Sequence, residues 1–156
     1  MKSTGEAIGY DDTYYRALYK ALQASGMKLQ NYGTVLATIA DKDKEEALPL
    51  IRRFYNLGFN IEATEGTARF LKEHGIRTRI RAKISDGNED IPNALRQGHI
   101  AYVINTRDPG ANEQDGLEIR RIATEHNVTM FTALDTVRVL LDVLEETTLT
   151  ISTIDA

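Results

Sequence analysis

Residues 34–68 read TVLATIADKDKEEALPLIRRFYNLGFNIEATEGTA, and their order decides the fold class. Thr34–Ala40 is a run rich in apolar and β-branched residues, the composition of a buried strand. Asp43-Lys44-Glu45-Glu46 has capping-box spacing and predicts a helix that opens there, runs towards Leu57 and stops at Gly58. Pro49 lies inside that helix and implies a kink or a lost hydrogen bond. Phe59–Thr64 reads as a second strand, and Thr67–His74 as a short helix closed by Gly75. Strand, helix, strand, helix at this spacing predicts parallel pairing with crossover helices.

The same rhythm continues outward. Arg77–Ile84 (RTRIRAKI) alternates and predicts a third strand, less apolar and nearer an edge. Ser85–Asp90 (SDGNED) is a polar loop, and Ile91–Gln97 a short helix stopped by Gly98. Ile100–Asn105 (IAYVIN) is the most apolar strand, which predicts a central place in the sheet. Thr106–Gly116 is a long polar loop in which Asp115 can cap a helix Leu117–His126. Val128–Thr132 is a fifth strand, Asp135–Glu146 a closing helix, and Thr147–Ile154 a last short strand. Upstream, Asp12–Ser25 reads as a helix with Tyr14, Leu18, Ala21 and Leu22 on one face, ended by Gly26. The expected architecture is α/β: a three-layer, doubly wound, Rossmann-like domain over 27–156 with a parallel five-stranded sheet, preceded by a linker and leading helix over 1–26.

Composition narrows the function classes. The chain has 156 residues, 19 Lys+Arg against 23 Asp+Glu, net charge −4 and no cysteine. Thiolate metal sites and a thiol nucleophile are excluded, and a general nucleic-acid binder would be basic. No apolar run reaches the roughly 18–20 residues of a membrane span, and no secretory leader is expected, which fits a cytoplasmic protein. Any anion must be held by a local cluster.

Doubly wound sheets bind ligands beyond the carboxyl ends of their strands, which selects four loops. Glu62–Ala68 joins a strand end to a helix start, where free N–H groups and the helix dipole favour phosphate. Gly66 permits close backbone approach, and Thr64 and Thr67 add hydroxyls. Two readings compete: a phosphate cradle, or a helix capped by Thr67 after a tight turn. Lys44 follows the first strand, Lys83 ends the third, and Asn105 and Thr106 end the fourth. Together these seven residues describe an anion pocket with lysine point charges and hydroxyl donors. The loop carboxylates read as solvated or capping groups. His74 and His126 suit helix C-termini, and no histidine has metal-ligand spacing. Arg120 and Arg121 read as surface charges.

Several stretches carry a family resemblance. Leu36–Phe54, GFNIEATEGTARFLKEHGI at 58–76, Lys83–Gly87 and AYVINT at 101–106 resemble the C-terminal regulatory domain of the carbamoyl-phosphate synthase large chain. Residues 3–26 resemble the junction before it. The resemblance implies a methylglyoxal-synthase-like fold and a place in a longer chain whose ATP- and Mg-using ligase units, with a glutaminase small chain, are its partners. It implies no cofactor and no chemistry in this domain, but an allosteric nucleotide: UMP as inhibitor or IMP as activator. The family's phosphate-binding lysines fall on Lys44 and Lys83, its pocket threonines on Thr64 and Thr67, and its Asn-Thr pair on Asn105 and Thr106. Some relatives carry another Thr where this chain has Arg107. Ornithine activates some relatives from a site shared with the neighbouring unit.

Methylglyoxal synthase is the enzymatic alternative of similar fold, and the cyclohydrolase domain of purine synthesis a third. In the synthase the catalytic aspartate lies in a GDQQ-like segment, which falls on Asn88 here. An amide cannot act as general base, so Glu89 or Asp90 would have to substitute.

Overall fold

Thr34–Thr38 (β1), Asn60–Thr64 (β2), Thr78–Arg81 (β3), Ile100–Asn105 (β4) and Thr129–Phe131 (β5) form one sheet in the order β3-β2-β1-β4-β5, with every neighbouring pair parallel. The computed structural model describes residues 14, 16–24, 29–82, 89–106 and 113–155. Helices are α1 (residues 16–24), α2 (Lys44–Asn56), α3 (Glu65–Glu73), α4 (Asp90–Arg96), α5 (Glu113–Glu125) and α6 (Leu134–Asp155). The three-layer α/β expectation holds. No described helix is long and apolar enough to cross a membrane.

Alternation along the strands divides the core. Val35, Ala37, Ile61, Ala63, Tyr102, Ile104 and Phe131 pack with α2, α3 and α6 on one face. Leu36, Ile100 and Val103 pack with Ile91, Ala94 and Leu95 of α4 and with Ile119 and Ile122 of α5 on the other. Ala47, Leu50, Ile51 and Phe54 recur at helical spacing and form the buried stripe of α2. Pro49 falls on the exposed side of that helix, where the carbonyl left without an N–H partner can meet water. β3 is an edge strand, as its sequence implies. β4 is buried throughout, flanked by β1 and β5, while β1 holds the middle position.

The glycine stops at Gly58, Gly75 and Gly98 are real, and Gly26 lies outside the described residues. Gly58 (φ 100) and Gly75 (φ 83) each follow a helix in the left-handed region. Phe59 N–H then reaches Phe54 O at 3.1 Å, and Ile76 N–H reaches Leu71 O at 3.0 Å. Each bond joins residues that also meet in the core, as Phe54 and Phe59 do edge to face at 5.2 Å.

Four expectations need correction. Asp43 makes no side-chain cap bond, because a 3-10 turn over Asp41–Asp43 already leads into α2 with Asp43 itself helical. α3 starts two residues early, so Thr67 lies within it and Thr64 takes the cap position. α5 starts at Glu113, so Asp115 lies inside the helix and cannot cap it. Residues 147–154 continue α6 instead of forming a strand. Neither Gly nor Pro interrupts that run, and extending an existing helix costs Thr and Ile only tenths of a kcal/mol each, up to about 0.7.

Candidate functional site

From β1 the chain winds one way to β2 and β3, and β4 and β5 lie on the other side. The order therefore reverses between β1 and β4, and the ligand crevice of such a sheet lies beyond their carboxyl ends. Thr38, Ile39 and Ala40 extend β1 into that region, and Asn105 and Thr106 end β4 beside them.

Side chains stitch these ends together. Thr38 Oγ1 donates to Asn105 Oδ1, and Thr106 N–H donates to Thr38 O at 3.1 Å. Ala40 N–H donates to Thr106 Oγ1 at 2.9 Å, and Ile39 N–H to Thr67 Oγ1 at 3.0 Å. The Thr67 hydroxyl in turn faces Ile39 O at 3.4 Å. Thr67 is 3% exposed and Thr106 8%. Both hydroxyls thus accept from the β1 extension and hold it from two flanks. With its oxygen accepting from Thr38, the Asn105 carboxamide has its NH2 to donate to a ligand.

A cation completes the group. Lys44 opens α2, and its ammonium pairs with the carboxylate of Asp41. A Cβ added at Gly66 would lie 3.7 Å from Lys44 Nζ, so the ammonium sits against the first turn of α3. The N–H groups of a first helical turn, the ammonium and the Asn105 amide are all donors, a set suited to an oxyanion.

The structure therefore brings Lys44, Gly66, Thr67, Asn105 and Thr106 around the end of β1. Thr64, buried at the end of β2, immediately precedes α3. Lys83 and Arg107 lie outside the described residues. Sequence reasoning missed Thr38 and Asp41. The D-K-D-K run at 41–44 held a signal for the second, since Asp41 and Lys44 share a helical i,i+3 spacing.

A second polar group lies elsewhere. Glu62, 5% exposed in mid-strand, accepts from Arg81 Nε at 2.6 Å. Arg81 also donates to Asp90 Oδ1 at 2.7 Å, and Ala82 N–H donates to Asp90 Oδ2 at 3.0 Å. His99 Nε2 stands 3.7 Å from Glu62 Oε2. Burial opposes ionisation of Asp90, but the Ala82 and Arg81 bonds outweigh it and hold the carboxyl below its usual range. The bond to Glu62 raises Arg81 above its usual value against the opposing effect of burial. A groove of about 580 Å³ opens beside this network among Thr34, Asn60 and Thr78, at the amino ends of β1, β2 and β3. It faces away from the stitched strand ends. His74 Nδ1 donates to Phe70 O at 2.8 Å, after the end of α3. Arg121 pairs with Glu118 and Glu125 on the surface. Among the described residues, no cluster of His, Asp or Glu could hold a metal ion.

The sequence profile of the MGS-like domain matches residues 46–132, more than half of the chain. The chain belongs to the MGS-like domain family. In this MGS-like domain the matched stretch includes Thr64, Gly66, Thr67, Asn105 and Thr106, and starts two residues after Lys44. Among solved structures the fold is similar to the crystal structure of methylglyoxal synthase from Elizabethkingia anophelis NUHP1, with a TM-score of 0.58 and 19% identity over 72% of this chain and 79% of that one. At that identity the likeness establishes the fold of the MGS-like domain.

Proposed function

We propose that this MGS-like domain is a nucleotide sensor: the regulatory domain of a carbamoyl-phosphate synthase large chain, which holds UMP or IMP by the phosphate and leaves it intact. The observation that supports this reading is the convergence of Lys44, the Gly66–Thr67 helix start and the Asn105–Thr106 pair on the end of β1. In this reading the phosphate lies over the first turn of α3. Lys44 supplies charge, Lys83 joins from the segment after β3, and the Asn105 NH2 fixes orientation. Base and ribose extend towards the segment after Thr106. ATP and Mg belong to the ligase units of the parent chain, which acts in the cytoplasm with its glutaminase partner.

Binding alone does not regulate. The effector must favour one state of the parent enzyme by a differential free energy of about 1–3 kcal/mol. One physical link to the preceding segment is Tyr102 of β4, whose hydroxyl accepts from Gln30 N–H at 2.7 Å and donates to Gln30 O at 2.8 Å.

The fold likeness to methylglyoxal synthase supports a second reading, a lyase that eliminates phosphate from dihydroxyacetone phosphate. That chemistry needs a general base. Both Asp90 oxygens are engaged, by Arg81 and by Ala82 N–H, which lowers its basicity.

Calorimetric titration of the chain with UMP and IMP decides between them. Saturable binding that Lys44→Ala weakens at least tenfold is the expected result, about 1.4 kcal/mol. No heat at millimolar nucleotide removes the sensor reading. Sustained release of methylglyoxal and phosphate from dihydroxyacetone phosphate replaces it with the lyase.

A further inference from the structure

The pair formed by Asp41 and Lys44 is lopsided. The Lys44 side chain is 17% exposed and that of Asp41 85%. The ammonium is fixed by its place at the start of α2 and by the α3 turn at Gly66. The backbone of Asp41 is fixed as well, in a 3-10 turn closed by Asp43 N–H to Ala40 O at 2.9 Å. Its carboxylate, in contrast, is largely exposed to solvent.

Other acids near the crevice are differently engaged. Glu65 pairs with Arg69 at 3.0 Å, and Asp43 meets Lys42 at 3.4 Å. Asp41 alone among these three stands on Lys44. A carboxylate therefore already occupies the ammonium at the point where the donors converge.

We infer that Asp41 is a built-in competing anion, which an arriving phosphate must displace from Lys44 before it can bind. This rests on the anion-site reading above and adds to it a residue that sets affinity. The exchange leaves the total charge at the ammonium nearly balanced in both states, so the covered lysine is never left without a counter-ion. Asp41 thus lowers affinity by a similar factor for every anion that must displace it.

The test is calorimetry on the full chain with inorganic phosphate and with UMP, comparing wild type, Asp41→Asn, Lys44→Met and the double variant. Asp41→Asn keeps side-chain volume and removes the charge at a solvent-facing position, and circular dichroism checks that it folds. The expected result is roughly two- to fivefold tighter binding of both probes, the scale of a partly exposed ion pair released from competition. In the Lys44→Met background the gain should disappear, because the carboxylate then has no ammonium to hold. If wild type binds and Lys44→Met weakens it while Asp41→Asn changes nothing or weakens it, the inference falls and the sensor reading stands. A gain that survives in Lys44→Met also overturns it, since the effect would then be one of overall charge. If neither wild type nor Asp41→Asn binds either probe at millimolar concentration, both the inference and the reading beneath it fall.

Discussion

Thr38 and Asn105 end adjacent parallel strands in direct register, and the threonine hydroxyl donates to the asparagine carboxamide oxygen. The bond engages the carboxamide oxygen and leaves the Asn105 NH2 as the group with hydrogens to donate. Thr38→Val keeps shape and removes the donor. It should lower stability by about 1 kcal/mol and weaken nucleotide binding several-fold, because Asn105 can then flip and present its oxygen to an anion. Thermal melts and calorimetry check the two effects separately. Unchanged affinity would show that Asn105 orientation is irrelevant to the ligand.

Gly66 separates folding from binding. It lies in the first turn of α3 without a positive φ, and a Cβ there would make ordinary contact with Lys44 Nζ at 3.7 Å. Gly66→Ala should therefore fold normally and gain up to about 1 kcal/mol from helix propensity. The added methyl group, however, covers the side of the ammonium and the amides that a phosphate would approach. Higher thermal stability together with weaker UMP binding is the expected pair of results.

Asp90 should contribute to acid sensitivity. Its folded-state carboxyl lies below the usual range, so its contribution is complete above the ordinary carboxylate pKa and disappears as pH falls through the lower folded value. Asp90→Asn should cost about 1–2 kcal/mol at neutral pH and flatten the stability profile below about pH 4. Urea titrations from pH 7 to pH 2.5 measure both.

Tyr102 should do the opposite at alkaline pH. Burial pushes its hydroxyl up to about 12, against the opposing Gln30 amide bond, with the charge of Tyr19 adding to the rise. A raised pKa favours the folded state below the ordinary tyrosine value of about 10, and this advantage is lost as pH climbs towards the folded value. The wild type should lose about 2–3 kcal/mol through this window. Tyr102→Phe should start lower by about 1–2 kcal/mol, having lost both Gln30 bonds, and then show a smaller alkaline decline. The difference between the two proteins across pH 9–12 isolates the group.

Most of the fold was legible because its signals are local. Val35, Ala37, Ile61 and Ala63 alternate with residues of the opposite face, and Gly58 and Gly75 mark helix ends through a conformation that other residues rarely adopt. What escaped depends on distant partners. Nothing in FNIEAT names a partner for Glu62, yet it is buried against Arg81, nineteen positions on. Removing either partner of such a pair would strand a buried charge, which typically costs about 3–5 kcal/mol. The cap reading of Thr67, one of two, fails because its oxygen serves the amide of Ile39. The tail after Glu146 reads as a strand because Thr and Ile favour strands locally. Helix propagation from α6 overrides that preference. For the candidate site, residue types at strand ends were readable, but their division into framework and ligand-facing groups was not.

The hydroxyls on Ile39 and Ala40 have a consequence for how specificity arises here. The amides of Ile39 and Ala40 are already committed, so a visiting molecule cannot be recognised by them. Discrimination falls to longer groups such as an ammonium and a carboxamide, which can be exchanged one at a time without unravelling the sheet. Relatives built on the same scaffold could therefore drift between different phosphorylated metabolites by altering a few side chains.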